Sequence, residues 1–323
     1  MMQQQPFFSI ILPAYNAELF LARTLTSIFS QGFSDYELLF VNDGSTDNTL
    51  DICREFAAVY PQVNVIDKKN EGVAVARNAA LQAAQGKYIL FVDADDIFYP
   101  QSFKKIYERL RESDVDYLRY EFQTIDSDDH PLFPNYEAHK RKKYDGAICN
   151  GVKCIEKLVR REFFLWSSAF KREIIEKNHI TFLEGCTYNE DTLFISQFLC
   201  SVQSGTYLGQ VLYGYRKSDV AVTSRFTAKN LSDIMDVYGR LMSLANREVK
   251  PLSTELKRTA QCLALHIYEE QSLAPDSEAC RGIFDECMRS PLLFEWRMMA
   301  IFGHYAEILW KIKVIIIKIL RRL

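Results

Sequence analysis

Along the first third of the chain, short apolar runs alternate with stretches of helical periodicity. The runs Phe7–Leu12, Tyr36–Val41, Val63–Ile66 and Tyr88–Val92 are separated or followed by helical patterns over 17–31, 47–60, 71–85 and 100–112. Apolar runs without polar alternation suit strands covered on both faces, and helices between such strands imply a parallel sheet. The pattern predicts an α/β, doubly wound fold. Residues 126–146 break the rhythm with Asp, Pro, His and the run Lys140-Arg141-Lys142-Lys143, which reads as an exposed loop. From about residue 150 the chain reads as mainly helical, and no internal repeat is visible.

In open α/β sheets ligands collect beyond the carboxyl ends of the strands. The segments at those positions are Pro13-Ala14-Tyr15-Asn16, Asn42-Asp43-Gly44-Ser45, Asp67 and Asp93-Ala94-Asp95-Asp96. This is more polar chemistry than strand-to-helix turns require.

Composition narrows the class. With 48% hydrophobic and 25% charged residues in 323, the chain reads as an ordinary globular protein of one large domain or two. A net charge of -3 argues against a nucleic-acid partner, which would draw a basic face. The eight cysteines are scattered, none in a CxxC, so reduced thiols without disulfides or a zinc site are expected. The short apolar run closed by Pro13 is no secretory signal, and no uncharged apolar run of about 20 residues is present. A cytoplasmic protein is the resulting expectation.

Asp93, Asp95 and Asp96 offer oxygen ligands of the kind Mg²⁺ or Mn²⁺ accepts, usually shared with substrate phosphates; a solvated acidic turn is the alternative. In Asn42–Asp47, Ser45 or Thr46 is expected to cap the following helix, leaving Asp43 free to accept hydrogen bonds from a base or ribose. Asn70 is the expected cap of the third helix. Arg77, about two turns into it, could meet a phosphate, pair with the crevice carboxylates, or lie on the surface.

Four segments in order carry a resemblance: Pro13-Ala14-Tyr15-Asn16 with Glu18, Leu21, Leu25, Ser27 and Gln31; Val41–Asp47; Asn70-Glu71-Gly72 with Ala76-Arg77-Asn78; and Gly86-Lys87-Tyr88-Ile89 leading to Asp93–Asp96. Over residues 8–96 the sequence resembles the family 2 glycosyltransferases. The resemblance implies a GT-A fold and an inverting transfer from a nucleotide diphosphate sugar, often a uridine one. It places Pro13, Tyr15, Asn16 and Asp43 around the nucleotide and Arg77 on the donor side. Asp93 and Asp95 are placed at the ribose and the metal-bound diphosphate, with Asp96 as nearby support.

Inverting transfer also needs a carboxylate base to deprotonate the acceptor hydroxyl. In Tyr188-Asn189-Glu190-Asp191-Thr192, acidic residues open an apolar helix, a placement the helix dipole alone favours. The resemblance implies more, since the family carries a Glu-Asp pair after a stretch like Phe182-Leu183-Glu184-Gly185 and uses its aspartate as base. Asp191 is therefore the expected base, with Asn189 as cap. Adjacent helical residues diverge by roughly 100°, so Glu190 and Asp191 do not both face one substrate, and Glu190 is expected at the acceptor or a cation instead. Further on, Arg216 and the segment Val222-Thr223-Ser224 match the family's Tyr-Arg and Ser/Thr stretch, with Arg216 expected to neutralise the leaving diphosphate. Trp166-Ser167-Ser168 departs from the Trp-then-lysine pattern of many relatives.

Residues 304–323 place His304, Glu307, Lys311, Lys318 and Arg322 on one side and Trp310 with Ile and Leu residues across the others. Such a basic amphipathic helix suits a membrane surface, or packs on its own domain or on a second copy. Lys140–Lys143 could add to such a surface, or stand as a solvated basic loop. The expected organisation is a catalytic domain over 1–225, split at 125 into a nucleotide-sugar half and an acceptor half, then a helical region over 226–323. Its expected activity is that of a hexosyl or N-acetylhexosaminyl transferase on the cytoplasmic membrane face, acting on a saccharide or lipid-linked acceptor. The rival from another class is a non-catalytic GT-A-like nucleotide-binding or scaffold subunit.

Overall fold

The computed structural model describes residues 5–135, 137–217 and 228–269. Through the first third the elements follow the apolar pattern closely: β1 (Phe8–Ala14), α1 (Glu18–Phe29), β2 (Tyr36–Asp43), α2 (Thr49–Val59), β3 (Val63–Lys68), α3 (Val73–Ala83) and β4 (Tyr88–Phe91). After them come β5 (Ile97–Phe98), α4 (Ser102–Ser113) and β6 (Tyr117–Ile125). Strands β1 and β2 are buried along their whole length, as unbroken apolar runs require.

Nine strands form one sheet in the order β3-β2-β1-β4-β8-β6-β9-β5, with β7 (Pro131–Pro134) hydrogen-bonded to β6. Its first four strands are parallel, as expected. Beyond them the sheet is mixed. β8 (Ser168–Lys171) runs antiparallel to both β4 and β6, β9 (Gly205–Arg216) is parallel to β6, and β5 is antiparallel to β9. An antiparallel neighbour needs no crossover helix, so the irregular stretch after β6 can lead straight back into the sheet.

The 126–146 region is not a plain exposed loop. It contains β7, the short helix α5 (Ala138–Arg141) and a 3-10 turn over Lys142–Tyr144. Lys140, Lys142 and Lys143 are exposed, but Arg141 is fully buried. It forms a two-pronged pair with Glu121 of β6, at 2.6 and 3.1 Å, and reaches Glu162 at 2.7 Å. Tyr207 donates to the same Glu121 at 2.6 Å. The basic run is therefore three surface lysines around a buried staple, because a guanidinium matched to a carboxylate fork can leave water where an unpaired cation cannot.

After α6 (Gly151–Lys153) and a π-helical turn over Cys154–Val159 come α7 (Arg172–Lys177) and α8 (Glu190–Cys200). Leu21, Leu25 and Ile28 of α1 with Phe103, Ile106 and Leu110 of α4 cover one face of the sheet. Ala76 and Ala80 of α3 with Phe194 and Phe198 of α8 cover the other. The helical region begins with α9 (Ala228–Arg247) and α10 (Leu252–Glu269), where Val237 and Leu241 pack with Leu193 of α8. No helix among the described residues is long and apolar enough to cross a membrane. The expected helix over 304–323 and Val222-Thr223-Ser224 lie outside the described residues. The six described cysteines are free thiols.

Candidate active site

Three parallel strands end side by side, with Ala14 in register with Asn42 and Asn42 with Asp67. Near the end of β1, Pro13 is buried opposite Val41, and just beyond the strand Tyr15 stands 52% exposed. Asn16 has a left-handed backbone (φ 48°), donates its N–H to Ser45 Oγ at 3.1 Å and accepts from Thr46 N at 2.8 Å. Ser45 and Thr46 thus tie two strand-end turns together instead of capping α2. That helix starts at Thr49, whose N–H is met by Asp47 Oδ1 at 3.0 Å. α3 likewise begins after Gly72, not at an Asn70 cap.

Asp43 lies at the end of β2, buried and occupied by protein. Its Oδ1 accepts from Lys68 Nζ at 2.7 Å and Glu71 N at 3.0 Å, and its Oδ2 accepts from Gly72 N at 2.8 Å. Burial works against the Lys68 charge, yet the bonds from Asp43 and Glu71 outweigh it and raise the ammonium pKa. Gly44 makes this turn possible: its φ is 71°, and a Cβ there would sit 2.5 Å from Asn70 N.

The acidic turn follows β4. Tyr213 Oη accepts from Asp93 N at 3.1 Å and donates to Asp96 Oδ2 at 2.8 Å, while Arg216 N donates to Asp96 Oδ1 at 2.7 Å. Asp96 is therefore a buried brace, its pKa raised by burial and by Asp95. The Arg216 guanidinium, expected at a diphosphate, is buried and committed elsewhere. It donates to the Asp95 carbonyl at 2.7 Å and the Asp126 carbonyl at 2.6 Å, pairs with Asp129, and lies over the Phe20 ring. With these partners it fixes the backbone of the acidic turn. Asp93 and Asp95 are only partly buried. Burial first, and Asp93 second, push Asp95 up to about 6.

Arg77 connects this turn to α8. Buried at 6% exposure, it donates Nη2 to Asp93 at 3.2 Å and Nη1 to Glu190 at 2.6 Å. Burial opposes its charge, but Glu190 and Asp93 more than offset that and its pKa is raised. Glu190 thus faces Arg77, and its neighbour Asp191 is partly buried with Oδ1 accepting from Thr192 N at 2.7 Å. Asn189 holds the N-cap position in a left-handed conformation, yet its side chain accepts no backbone N–H. Burial, then the Glu190 charge, push Asp191 up to about 8, with Arg77 opposing and Asp93 adding to the rise.

Two contributors stood in the motifs without a role assigned to them. Asn78 forms a closed pair of bonds with the Phe182 backbone, at 3.0 and 2.8 Å, and the Phe182 ring stacks on Phe194 of α8 with centroids 4.2 Å apart. Tyr213 organises the acidic turn, and with Tyr215 it stacks on Trp166. An aromatic pair alternating on a strand that ends in Arg216 was the available signal.

Among the described residues no three His, Cys, Asp or Glu side chains converge to hold a metal unaided. What the turn offers is two close carboxylates, one with a raised pKa. Such an oxygen-only set fits Mg²⁺ or Mn²⁺ where substrate phosphates complete the shell.

A parallel half-sheet with an acidic turn at its strand ends, continued by a mixed half that carries a separate carboxylate, defines a GT-A glycosyltransferase fold. Staphylococcus aureus TarS residues 1–349, solved in complex with UDP-GlcNAc, superposes with a TM-score of 0.72 at 20% identity, covering 89% of this chain and 82% of that one. Residues 9–177 match Glycosyl transferase family 2, and the chain belongs to that family. The match ends before Asp191. Among curated relatives, the uncharacterized glycosyltransferase YibD of Escherichia coli (strain K12) is 28% identical over 225 residues, 69% of this chain and 65% of its own length. The putative teichuronic acid biosynthesis glycosyltransferase TuaG of Bacillus subtilis (strain 168) is 32% identical over 160 residues, 49% of this chain and 64% of its own. The chain thus spans slightly under two thirds of either relative's length.

Proposed function

We propose that this chain is an inverting, metal-dependent glycosyltransferase that moves a hexosyl or N-acetylhexosaminyl unit from a nucleotide diphosphate donor, uridine being the favoured base. The acceptor is a saccharide or lipid-linked saccharide in surface polysaccharide or glycolipid synthesis at the cytoplasmic membrane face. The observation that carries this reading is the Arg77 bridge, which ties Asp93 of the acidic turn to Glu190 and so brings the helix start bearing Asp191 beside the turn. The name of TuaG supports the polysaccharide pathway and the TarS complex supports the uridine donor.

In this reading Pro13, Tyr15, Asn16 and Asp43 shape the nucleotide end, with the exposed Tyr15 ring offered to the base. Asp93 and Asp95 hold Mg²⁺ or Mn²⁺, whose role when bound is to neutralise charge on the departing diphosphate. Arg77 keeps Glu190 neutralised and in place. Asp191, deprotonated, takes the acceptor hydroxyl proton as the oxygen attacks the anomeric carbon opposite the leaving nucleotide. Its raised pKa makes it a stronger base than a free aspartate.

The test is nucleotide release from a panel of nucleotide sugars with Mn²⁺ or Mg²⁺, repeated with Asp95→Ala and Asp191→Asn. Loss of turnover in both variants, on the order of a hundredfold or more, is expected. Undiminished turnover in either removes that residue from the site. Donor binding without turnover under every condition favours a nucleotide-binding scaffold subunit.

A further inference from the structure

The first turn of α8 carries Glu190 and Asp191, yet its N-cap residue does not lock it. Asn189 is left-handed (φ 64°) with a side chain that accepts no backbone N–H, and Gly185, four residues earlier, is left-handed as well (φ 77°). A helix entry without its side-chain cap leaves the direction of the first turn to tertiary contacts. Whatever holds this entry therefore also sets where Asp191 lies.

Among the described residues, contacts reach the entry from two helices. From α3 come the Asn78 bonds to Phe182 and the Arg77 bond to Glu190. The others come from α9, which lies beyond the residues that match the family. Asp233 of α9, 4% exposed, accepts on Oδ2 from Thr187 N at 2.9 Å and from Thr187 Oγ1 at 3.1 Å. Its Oδ1 pairs with Lys229, which also donates to the Gly185 carbonyl at 2.6 Å. Val237 and Leu241, one and two turns further along α9, share an apolar cluster with Cys186 and Leu193. That cluster alone is enough to pack α9 on α8, and burying a carboxylate beside it costs desolvation. What the carboxylate adds is direction. Two donors of one residue converge on one oxygen, which fixes both the backbone and the side-chain rotamer of Thr187, four residues before Asp191.

We propose that Asp233 is a positioning residue of the transfer: acting through Thr187, it sets the entry of α8 and with it the place of the Asp191 carboxylate against the acidic turn. This rests on the glycosyltransferase reading above. Without Asp233 the entry keeps its α3 contacts alone, and Asp191 spends less time within reach of the attacking hydroxyl. In that reading the nucleotide binds at the ends of β1 and β2, which Thr187 does not touch, so the loss falls on kcat and spares the donor KM.

The test compares the wild-type chain with Asp233→Ala and Asp233→Asn, using the panel of nucleotide sugars above with Mn²⁺ and water as acceptor. Turnover is counted per site that binds the free nucleoside diphosphate, so that a misfolded fraction does not enter kcat. Amide hydrogen exchange is followed in parallel over residues 186–192 and, as an internal control, over 36–43. Asp233→Ala is expected to speed exchange over 186–192 with the control unchanged, and to lower kcat roughly tenfold or more with the donor KM within about twofold. Asp233→Asn, whose amide oxygen can accept both Thr187 bonds, is expected to recover most of that kcat. A kcat per site unchanged in Asp233→Ala, exchange over 186–192 unchanged, or an Asn variant as slow as the Ala variant overturns the proposal. If the wild-type chain turns over no donor of the panel, the glycosyltransferase reading falls and the positioning role with it; if it turns donors over and Asp233→Ala matches it, the positioning role falls alone.

Discussion

The Asn78 side chain and the Phe182 backbone satisfy each other completely: the amide donates to the Phe182 carbonyl at 3.0 Å and accepts from the Phe182 N–H at 2.8 Å, across 104 residues. Both partners are buried. Asn78→Ala leaves two buried backbone groups unpaired, at about 1–3 kcal/mol each. Urea unfolding is expected to register that loss. Activity at a temperature where the variant remains folded is expected to fall through kcat, because Phe182 stacks on the helix that carries Asp191. An Asn78→Ala chain as stable as wild type would show that the contact is dispensable.

Arg77→Met removes one cation from between two carboxylates. Glu190 then keeps a charge in a nearly dry place without a partner, a situation that typically costs about 3–5 kcal/mol. Chemical denaturation measures it. Adding Glu190→Gln in the same chain is expected to restore much of the loss, since the uncompensated charge goes with it. A double variant no better than the single one would contradict the pairing.

Stability has a defined pH slope at this site. Asp95 and Asp191 carry folded pKa values near 6 and 8 against an ordinary 3.8, and buried Asp96 is raised as well, so the folded chain keeps protons that the unfolded chain has released. With the folded state binding more protons, stability falls as pH rises from about 4, the Asp95 share ending near pH 6 and the Asp191 share near pH 8. The groups facing Asp191 are Glu190, Arg77 and Asp93. Melting temperatures across this range are expected to decline, and Asp191→Asn is expected to flatten the segment between pH 6 and 8. Turnover is expected to run the other way, rising toward pH 8 as the base deprotonates. An acid-side optimum would remove Asp191 from that role.

The basic run divides sharply in consequence. Arg141→Ala leaves Glu121 in the interior without its cation, while Glu162 keeps Arg119 at 3.3 Å, and is expected to cost about 3–5 kcal/mol. Lys142→Ala and Lys143→Ala, at exposed positions, are expected to stay within about 0.5 kcal/mol. Thermal melts of the three variants separate a buried staple from a surface charge run. Similar values for all three would count against the staple.

The first four strands and four helices were legible because each buries a continuous apolar run or stripe, a property of contiguous residues. β5 and β8, with two and four residues, are too short for periodicity to declare them, and their pairing depends on strands far along the chain. Arg141 was misread for a related reason: lysines flank it in sequence, while Glu121 and Glu162 lie about twenty residues to either side. Charged Arg119 and Glu121 inside the otherwise apolar strand Tyr117–Phe122 were the clue that buried ion pairs awaited partners. At the site, the polar clusters at the strand ends were readable as turns that meet in one crevice. Their assignments were less so, because whether Arg216 meets a phosphate or braces a turn depends on Asp126 and Asp129, which no spacing rule connects to it.

The placement of β6 and β9 has a practical consequence for anyone recombining such chains. β6 is bonded to β8, β7 and β9, while β9 also bonds β5 and supplies Tyr213 and Arg216 to the acidic turn. A chimera joined at residue 125 would import the strand that braces its own acidic turn from the foreign parent. Donor and acceptor preferences are therefore better exchanged as loops, such as 15–17 or 181–189, grafted onto an intact sheet.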